Sequence, residues 1–171
     1  MNARTTEARE GELPLGFDPA ELAGAAHLVF IGRIRSPWKT REECPKNMRE
    51  ARESGQSASV EIAEPYLPGL DRLERASHVV ILSWFDRAAR NLIVQKPRHS
   101  PRASGTFALR SPVRPNPIGL HVAKLVSLDR AAGILAIDAI DALDGTPVID
   151  LKPYFASIDA FPEAVVRPVE D

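Results

Sequence analysis

The chain has 171 residues and a net charge of -1, with 44% hydrophobic and 26% charged residues. These values are typical of a soluble globular protein, and a chain of this length can form one domain with its own core. No apolar run approaches the ~20 residues that span a bilayer, and the polar start lacks the apolar run of a secretory signal, so we expect no membrane association and a cytoplasmic location. The single cysteine, Cys44, excludes an internal disulfide and a multi-thiolate metal site.

The chain begins with a polar segment, and we expect residues 1–26 to form a flexible arm that ends in a short helix capped by Asp18. Residues 27–160 are predicted to form the folded domain, and residues 161–171 a tail. Within the domain, short stretches rich in apolar and β-branched residues and bounded by turn residues predict strands. In chain order these stretches are HLVFIGRIRS, SASVEIAEP, HVVILSWF, GTFALRS, GLHVAKLVSLD and GILAIDAID.

Two further patterns complete the predicted fold. LVSLDRAAGILAIDAI predicts a hairpin around Asp129 and Gly133, and LPGLDRLERAS predicts an internal helix with Leu70, Leu73 and Ala76 on one face. Strands that recur without intervening helices favour a mainly all-β fold, a single small barrel of about six to seven strands with a few short helices. A Rossmann-type nucleotide site is not predicted, because no G-x-G-x-x-G or Walker sequence occurs.

The residues that bind metals or act as nucleophiles show no typical spacing. The histidines stand singly, without an H-E-x-x-H pattern, so no metal site is predicted. There is no G-x-S-x-G sequence, and His78 is better explained as a packed, hydrogen-bonded residue than as a ligand.

The charge distribution is uneven along the chain. Basic residues without an intervening acid extend from Arg87 to Arg114, whereas acids predominate from Asp129 onward. This asymmetry fits either a polyanion-binding face or a solvated loop that acids elsewhere balance. The basic residues are Arg87, Arg90, Lys96, Arg98, Arg102, Arg110 and Arg114.

Two motifs contain more polar and charged residues than their backbone structure requires. In RSPVRPNPIG, residues 110–119, the prolines fix the backbone as a rigid ledge, but a ledge does not need Arg110, Arg114 and Asn116. In DALDGTPVIDLKPY, residues 141–154, a tight turn with a positive φ at Gly145 and a brief strand explain the first half. That structural interpretation leaves Asp150 and Lys152 without a role.

These two motifs, together with FIGRIRSPW and LERASHVVILSWF, resemble the TsaA-like (TrmO-type) family of S-adenosylmethionine-dependent methyltransferases. The resemblance extends roughly from Phe30 to Ala156. It implies a small β-barrel that acts as a homodimer, and a reaction that methylates N6 of the threonylcarbamoyl-modified adenosine beside the tRNA anticodon.

The resemblance also implies which residues contact the cofactor. Asp86 stands where many members have His, Leu120 stands where some have Met, and we expect no counterpart of the additional C-terminal region that longer bacterial members carry. An arginine suits the carboxylate of S-adenosylmethionine, and carboxylates or aromatic faces suit its sulfonium. The implied cofactor contacts are Pro45, Lys46, Asn47, Phe85, Asp86, Arg110, Leu120, Asp138, Ala139, Ile140 and Asp141.

For methyl transfer, we hypothesise that Asn116, held between two prolines, accepts a hydrogen bond from the target amine. The alternative is that Asn116 only ties the loop to backbone groups. Asp150 and Lys152 are further catalytic candidates, and the expected phosphate contacts are Arg87, Arg98, Arg102 and Arg114. Methylation of a small molecule, or a non-catalytic barrel that binds RNA or the cofactor, remain alternatives.

Overall fold

The computed structural model describes residues 6–18, 21, 27–97 and 100–166, and most of its regular structure is β. The elements are β1 (Leu13–Pro14), β2 (Gly32–Arg35), α1 (Met48–Glu53), β3 (Ala58–Ile62), β4 (His78–Trp84), β5 (Leu92–Gln95), β6 (Ser104–Gly105), β7 (Ile118–Asp129), β8 (Ile134–Ile137), β9 (Pro147–Pro153) and α2 (Ala156–Asp159). Short 3₁₀ helices cover Glu64–Leu70, Leu73–Arg75 and Thr106–Ala108. The predicted mainly β class is confirmed.

Six strands pair edge to edge in the order β2-β3-β8-β7-β4-β9, and the antiparallel pairing of β9 with β2 closes them into a barrel. Burial alternates along β4, where Val79, Ile81 and Ser83 are buried and the residues between them are partly exposed. This alternation follows from the two-residue repeat of a strand, which turns every second side chain into the core. The interior is filled by branched aliphatic residues, among them Ile34, Val60, Ile81, Leu135, Ile137 and Val148.

The predicted strands agree with the structure except at GTFALRS. The hairpin is confirmed, since β7 and β8 pair through Leu128 with Leu135 and Asp129 with Ile134. GTFALRS forms a 3₁₀ turn instead, because the Thr106 hydroxyl is buried, accepts a hydrogen bond from Gln95 and donates one to the Leu92 carbonyl. β9 takes the remaining place in the barrel, and β5 has no counterpart among the predicted strands.

The prediction of a helix over LPGLDRLERAS is wrong. Two 3₁₀ helices cover this region, and Arg72 between them has a left-handed backbone with φ of 64°. Such a residue interrupts the i to i−4 bonding of an α-helix. An unpredicted helix, α1, is capped by Asn47, whose side chain accepts hydrogen bonds from the backbone N–H groups of Arg49 and Glu50.

A small second sheet joins β1, β5 and β6 in that order. The arm predicted for residues 1–26 therefore contains a stretch that pairs with β5. Glu12 strengthens this attachment, since its carboxylate accepts a hydrogen bond from the Lys96 N–H and pairs with Arg9 at 2.6 Å. The helix predicted after Asp18 falls largely on residues 19–20 and 22–26, which lie outside the described residues.

The direction of the strands determines at which end of the barrel each connection lies. Because all neighbours are antiparallel, the connections 36–57, 85–117 and 138–146 leave the barrel at the same end, which we call the upper end. The lower end carries the 3₁₀ helices of residues 64–75 and the β7–β8 turn. No helix within the described part of the chain has the length and apolar character needed to cross a membrane.

Candidate functional site at the upper end of the barrel

The segments implied as cofactor contacts come together at the upper end. Pro45–Asn47 precedes α1, Phe85–Asp86 follows β4, Arg110 begins the proline ledge and Asp138–Asp141 follows β8. Leu120 belongs to the adjoining end of β7, where its carbonyl accepts a hydrogen bond from the Arg110 guanidinium at 3.3 Å. These residues are distant in sequence, and the antiparallel barrel is what brings their segments to one end.

Hydrogen bonds to the first turn of α1 hold the loop that precedes this helix. The Asn47 amide donates to Glu50 at 3.1 Å, and the Lys46 N–H donates to the same carboxylate at 3.0 Å. Together with its two accepted bonds, these contacts commit the Asn47 side chain to capping α1. The helix in turn carries Arg52, which donates to the Asp138 carboxylate at 3.3 Å and so ties this loop to the next.

The segment Asp138–Asp141 is held from both sides. The other oxygen of Asp138 accepts the Lys124 N–H at 2.8 Å, and the Trp38 indole N–H donates to the Ile140 carbonyl at 2.8 Å. Ala139 and Ile140 are buried, whereas the Asp141 carboxylate keeps 19% of its surface exposed. The segment therefore offers a rigid backbone and one partly accessible carboxylate.

Behind Asp141 lies a hydrogen-bonded chain that the sequence motifs do not indicate. His121 is 2% exposed, and its Nδ1 lies 2.6 Å from Asp141 Oδ1 while its Nε2 lies 2.9 Å from Ser83 Oγ. The Phe85 ring meets the imidazole edge to face, with centroids 5.8 Å apart. Gly119 makes room for this group, since an ideal Cβ there would lie 2.3 Å from Ser83 Oγ. The only sequence signal is the strand alternation, which places His121 on the same inward face as Ala123.

Cys44 lies near the same carboxylate. Burial raises the pKa of its thiol to about 11, and the negative charge of Asp141 adds to the effect. The thiol is consequently protonated at neutral pH and is a poor nucleophile there.

The proline ledge is anchored by two arginines. Arg114 donates to the carbonyls of Thr106 and Leu109, at 3.0 and 2.6 Å, and Arg90 donates to the Pro115 carbonyl at 2.6 Å while its guanidinium lies 5.5 Å from the Trp84 ring centroid. Arg114 thus ties the ledge to the turn that precedes it, a contact different from the phosphate contact expected of it. The Asn116 side chain is exposed, and among the described residues its amide has no hydrogen-bond partner.

The other basic candidates lie around this end or outside the described residues. Arg87 is exposed and donates to the Asp144 carbonyl at 3.1 Å, and Arg102 is exposed as well. Arg98 lies outside the described residues. Asp86 is exposed, next to the aromatic wall that Phe85 provides. The Lys39 ammonium near these groups holds the pKa of Asp144 below its usual range through a 2.8 Å hydrogen bond.

Asp150 and Lys152 lie on the outer surface of the barrel. Their side chains form an ion pair at 2.6 Å. Asp150 is opposite Leu82, which in turn is opposite Leu120, so Asp150 is two strands away from the proposed cofactor contact. It also lines a cleft of about 910 Å³ that extends toward Tyr154 at the lower end. The structure thus brings neither residue into contact with Asn116.

The described residues include no group of three or more His, Cys, Asp or Glu side chains arranged to hold a metal ion. What this end of the barrel offers is an arginine, a partly exposed carboxylate, an aromatic edge and a set of rigid backbone segments. Such a donor set suits an organic ligand that carries both positive and negative charges.

Comparison with known proteins gives a consistent result. A family model described as the tRNA-methyltransferase O N-terminal domain matches residues 33–160. A probable S-adenosyl-L-methionine-binding protein of Methanothermobacter thermautotrophicus is 42% identical over 130 residues, which cover 76% of this chain and 90% of that protein. A protein of Archaeoglobus fulgidus with the same description is 41% identical over 141 residues, which cover 82% of this chain and 37% of that protein.

Two further relatives are longer than this chain. The human tRNA (adenine(37)-N6)-methyltransferase is 42% identical over 102 residues, which cover 58% of this chain and 22% of that enzyme. The crystal structure of TrmO from Pseudomonas aeruginosa is similar with a TM-score of 0.66 and 33% identity, over 83% of this chain and 61% of that one. The chain therefore spans less than two thirds of the length of several proteins that it matches.

Proposed function

Because the chain belongs to the tRNA-methyltransferase O N-terminal domain family, we propose that it binds S-adenosyl-L-methionine and transfers the methyl group to N6 of a tRNA adenosine. The observation that carries this proposal is the convergence of Pro45–Asn47, Phe85–Asp86, Arg110 and Asp138–Asp141 at the upper end of the barrel. Four segments with different chemistry meet there, as recognition of a ligand with several distinct groups requires.

The residues present fit the chemistry of this cofactor. Arg110, which is exposed, would bind a carboxylate, and the buried segment Ala139–Ile140 would provide an apolar wall with backbone groups for an adenine. Asp141 and the Phe85 ring would face a cationic sulfonium, which carboxylates and aromatic rings favour. When bound, the cofactor supplies an activated methyl group, and the protein's contribution is to orient it and to exclude water.

The proposed acceptor is the threonylcarbamoyl-modified adenosine beside the anticodon, and Asn116 is its proposed contact. Its amide is exposed and has no hydrogen-bond partner among the described residues, although bonds made by Arg90 and Arg114 hold the residues that precede it. This arrangement supports a substrate contact better than a loop tie. A preorganised acceptor geometry can supply about 7–11 kcal/mol of the barrier, so little acid-base chemistry is needed.

Replacement of Asn116 separates these two roles. We expect Asn116→Ala to lower kcat about tenfold or more, the effect of a lost hydrogen bond of about 1.4 kcal/mol in the transition state. The melting temperature and the Kd for the cofactor, from calorimetry, should stay near the wild-type values. A fall in melting temperature together with cofactor affinity would instead support the loop tie.

A matched control lies on the same ledge. Ser111→Ala removes a hydroxyl that accepts a hydrogen bond from the Val113 N–H at 3.2 Å, so it is a loop tie of the kind that the alternative assigns to Asn116. We expect Ser111→Ala to leave kcat near the wild-type value. An equal loss of kcat in the two variants would show that any weakening of the ledge suffices, and would contradict the substrate contact.

Arg87 and Arg102 are proposed to contact RNA phosphates, together with Arg98 of the same basic segment of the sequence. Phosphate contacts of this kind release counterions, so tRNA affinity should fall steeply between about 50 and 200 mM salt. We also propose that the protein is cytoplasmic and forms a homodimer. Exposed apolar side chains support the dimer, since Ile118 and Leu120 leave 43% and 49% of their surface exposed on the outer face of β7. Light scattering after size exclusion tests the dimer.

The decisive experiment combines binding and turnover. Calorimetry with S-adenosyl-L-methionine tests the cofactor, and incubation with labelled cofactor and bulk tRNA, followed by nucleoside analysis, tests the acceptor. Two of the relatives are described as probable S-adenosyl-L-methionine-binding proteins, which favours one alternative, a barrel that binds the cofactor without catalysis. Binding without any labelled nucleoside would support that alternative, and the absence of binding would overturn the proposal.

A further inference from the structure

We propose that His121 is a positioning residue for the cofactor site, which acts by holding the carboxylate of Asp141 and the ring of Phe85. This inference rests on the proposed function, because it assigns a role within the site that would bind S-adenosyl-L-methionine. The implied cofactor contacts include neither His121 nor Ser83, and none of the motifs that carry the family resemblance contains His121. The contacts of the imidazole carry the inference.

Both nitrogens of His121 are engaged, and each has a different partner. A carboxylate only accepts hydrogen bonds, so Nδ1 donates to Asp141 Oδ1 at 2.6 Å. Nε2 lies 2.9 Å from the hydroxyl of Ser83, which is fully buried and can donate or accept as the ring requires. Ser83 thus holds the ring, and the ring holds the carboxylate.

The chain of hydrogen bonds joins three parts of the fold. Ser83 belongs to β4, His121 to β7 and Asp141 to the connection between β8 and β9. Phe85 packs against the imidazole at an interplanar angle of 88°. One buried side chain therefore sets the position of both groups that we propose for the sulfonium.

Asp141 combines support with access. His121 holds one oxygen of its carboxylate from the buried side, whereas 19% of the side-chain surface stays exposed and can face a cationic ligand.

Two amide substitutions separate positioning from packing. Asparagine places its N–H₂ group close to the position of Nδ1, and glutamine places it close to that of Nε2. We expect His121→Asn to keep the bond to Asp141 and to weaken S-adenosyl-L-methionine binding no more than about threefold, whereas His121→Gln and His121→Leu weaken it about tenfold or more. Binding is measured by calorimetry, with the melting temperature recorded for each variant.

The charge of the ligand provides a second readout. S-adenosyl-L-homocysteine lacks the sulfonium charge, so its Kd should change less than that of S-adenosyl-L-methionine in His121→Gln. Ser83→Ala retains the bond between His121 and Asp141, so we expect it to lose less affinity for S-adenosyl-L-methionine than His121→Gln does. It replaces the His121 variants in this test if they do not fold.

The outcomes are distinguishable. Equal losses for His121→Asn and His121→Gln, losses that follow the melting temperature, or equal effects on the two ligands would overturn the positioning role while leaving the proposed function intact. If the His121 variants do not fold, a Ser83→Ala protein with wild-type affinity for both ligands would overturn it. Absence of S-adenosyl-L-methionine binding by the wild-type protein would overturn the proposed function, and this inference with it.

Discussion

The contact between Gly119 and the His121 network yields the sharpest test of the structure. Gly119 has a backbone conformation open to other residues, so Gly119→Ala adds one methyl group without left-handed strain. An ideal Cβ would lie 2.3 Å from Ser83 Oγ, 2.7 Å from His121 Nε2 and 2.7 Å from Phe85 Cζ. All three distances are shorter than real Cβ contacts, so at least one of these side chains must move.

The loss in unfolding free energy depends on which of these side chains moves. Ser83 and His121 are both buried, and displacing either one breaks the 2.9 Å hydrogen bond between them. Overpacking of a core costs about 1–3 kcal/mol, and the lost hydrogen bond about 1 kcal/mol more. The lower conformational entropy of the unfolded chain with alanine offsets about 0.4–1 kcal/mol of this loss. We therefore expect Gly119→Ala to lower the free energy of unfolding by about 2 kcal/mol and the melting temperature by roughly 4–8 °C.

The assay is urea unfolding of Gly119→Ala beside a matched control. Gly69→Ala is the control, because a Cβ at Gly69 meets no atom within 4 Å. The double variant with Ser83→Ala should lose less than the sum of the two single losses, by about 0.5–1 kcal/mol, since Gly119→Ala already breaks the Ser83 bond. A Gly119→Ala protein as stable as the control, or strictly additive losses, would refute the described packing.

Three further predictions concern single groups. Because the pKa of Cys44 is raised to about 11, iodoacetamide should label it at pH 8 about a hundredfold more slowly than a free thiol. Asp141→Asn should speed the labelling, because it removes a negative charge that raises this pKa. Urea-unfolded protein, in which the thiol is exposed, is the control. The hydrogen bond from Arg9 lowers the pKa of Glu12 to about 2, so its stabilisation is present above pH 4.5 and is lost as the pH falls toward 2. The stability gap between wild type and Glu12→Gln, about 1 kcal/mol at pH 7 by urea unfolding, should therefore close in this range, and a constant gap would contradict the ion pair. Asn47→Ala should cost about 1 kcal/mol because it removes the cap of α1, whereas Asn47→Ser, which keeps an oxygen that can accept the capping hydrogen bond, should stay closer to wild type; equal melting temperatures for all three proteins would argue against the cap.

Local patterns suffice where an element is stabilised by its own sequence. β3, β4, β7 and β8 were predicted from their apolar and β-branched composition and the turn residues that bound them, because such side chains fit the half-buried surface of a sheet. The positive φ of Gly145, 80°, was likewise predicted, since the turn chemistry of DGTP is local. The family and the cofactor motifs were recognised in the same way.

The failures have a different physical origin. The apolar spacing of LPGLDRLERAS predicted a helix, but Pro68 and the left-handed Arg72 divide the segment into 3₁₀ turns. GTFALRS has the composition of a strand, yet buried hydrogen bonds of Thr106 hold it as a turn. The six-residue helix α1 is too short for an apolar repeat to show, and only its cap at Asn47 indicates it.

The residues of the candidate site likewise fall into those that local sequence indicates and those that only the folded chain brings together. Contiguous motifs, the proline ledge and the acidic segment after β8, were enough to identify the residue types that could recognise a cofactor. The support of Asp141 by His121 and Ser83 became visible only in the folded chain, because successive members of this network are 20 and 38 residues apart. The closure of an antiparallel barrel brings such residues together, and pairing between distant strands has no signature within a single stretch of sequence.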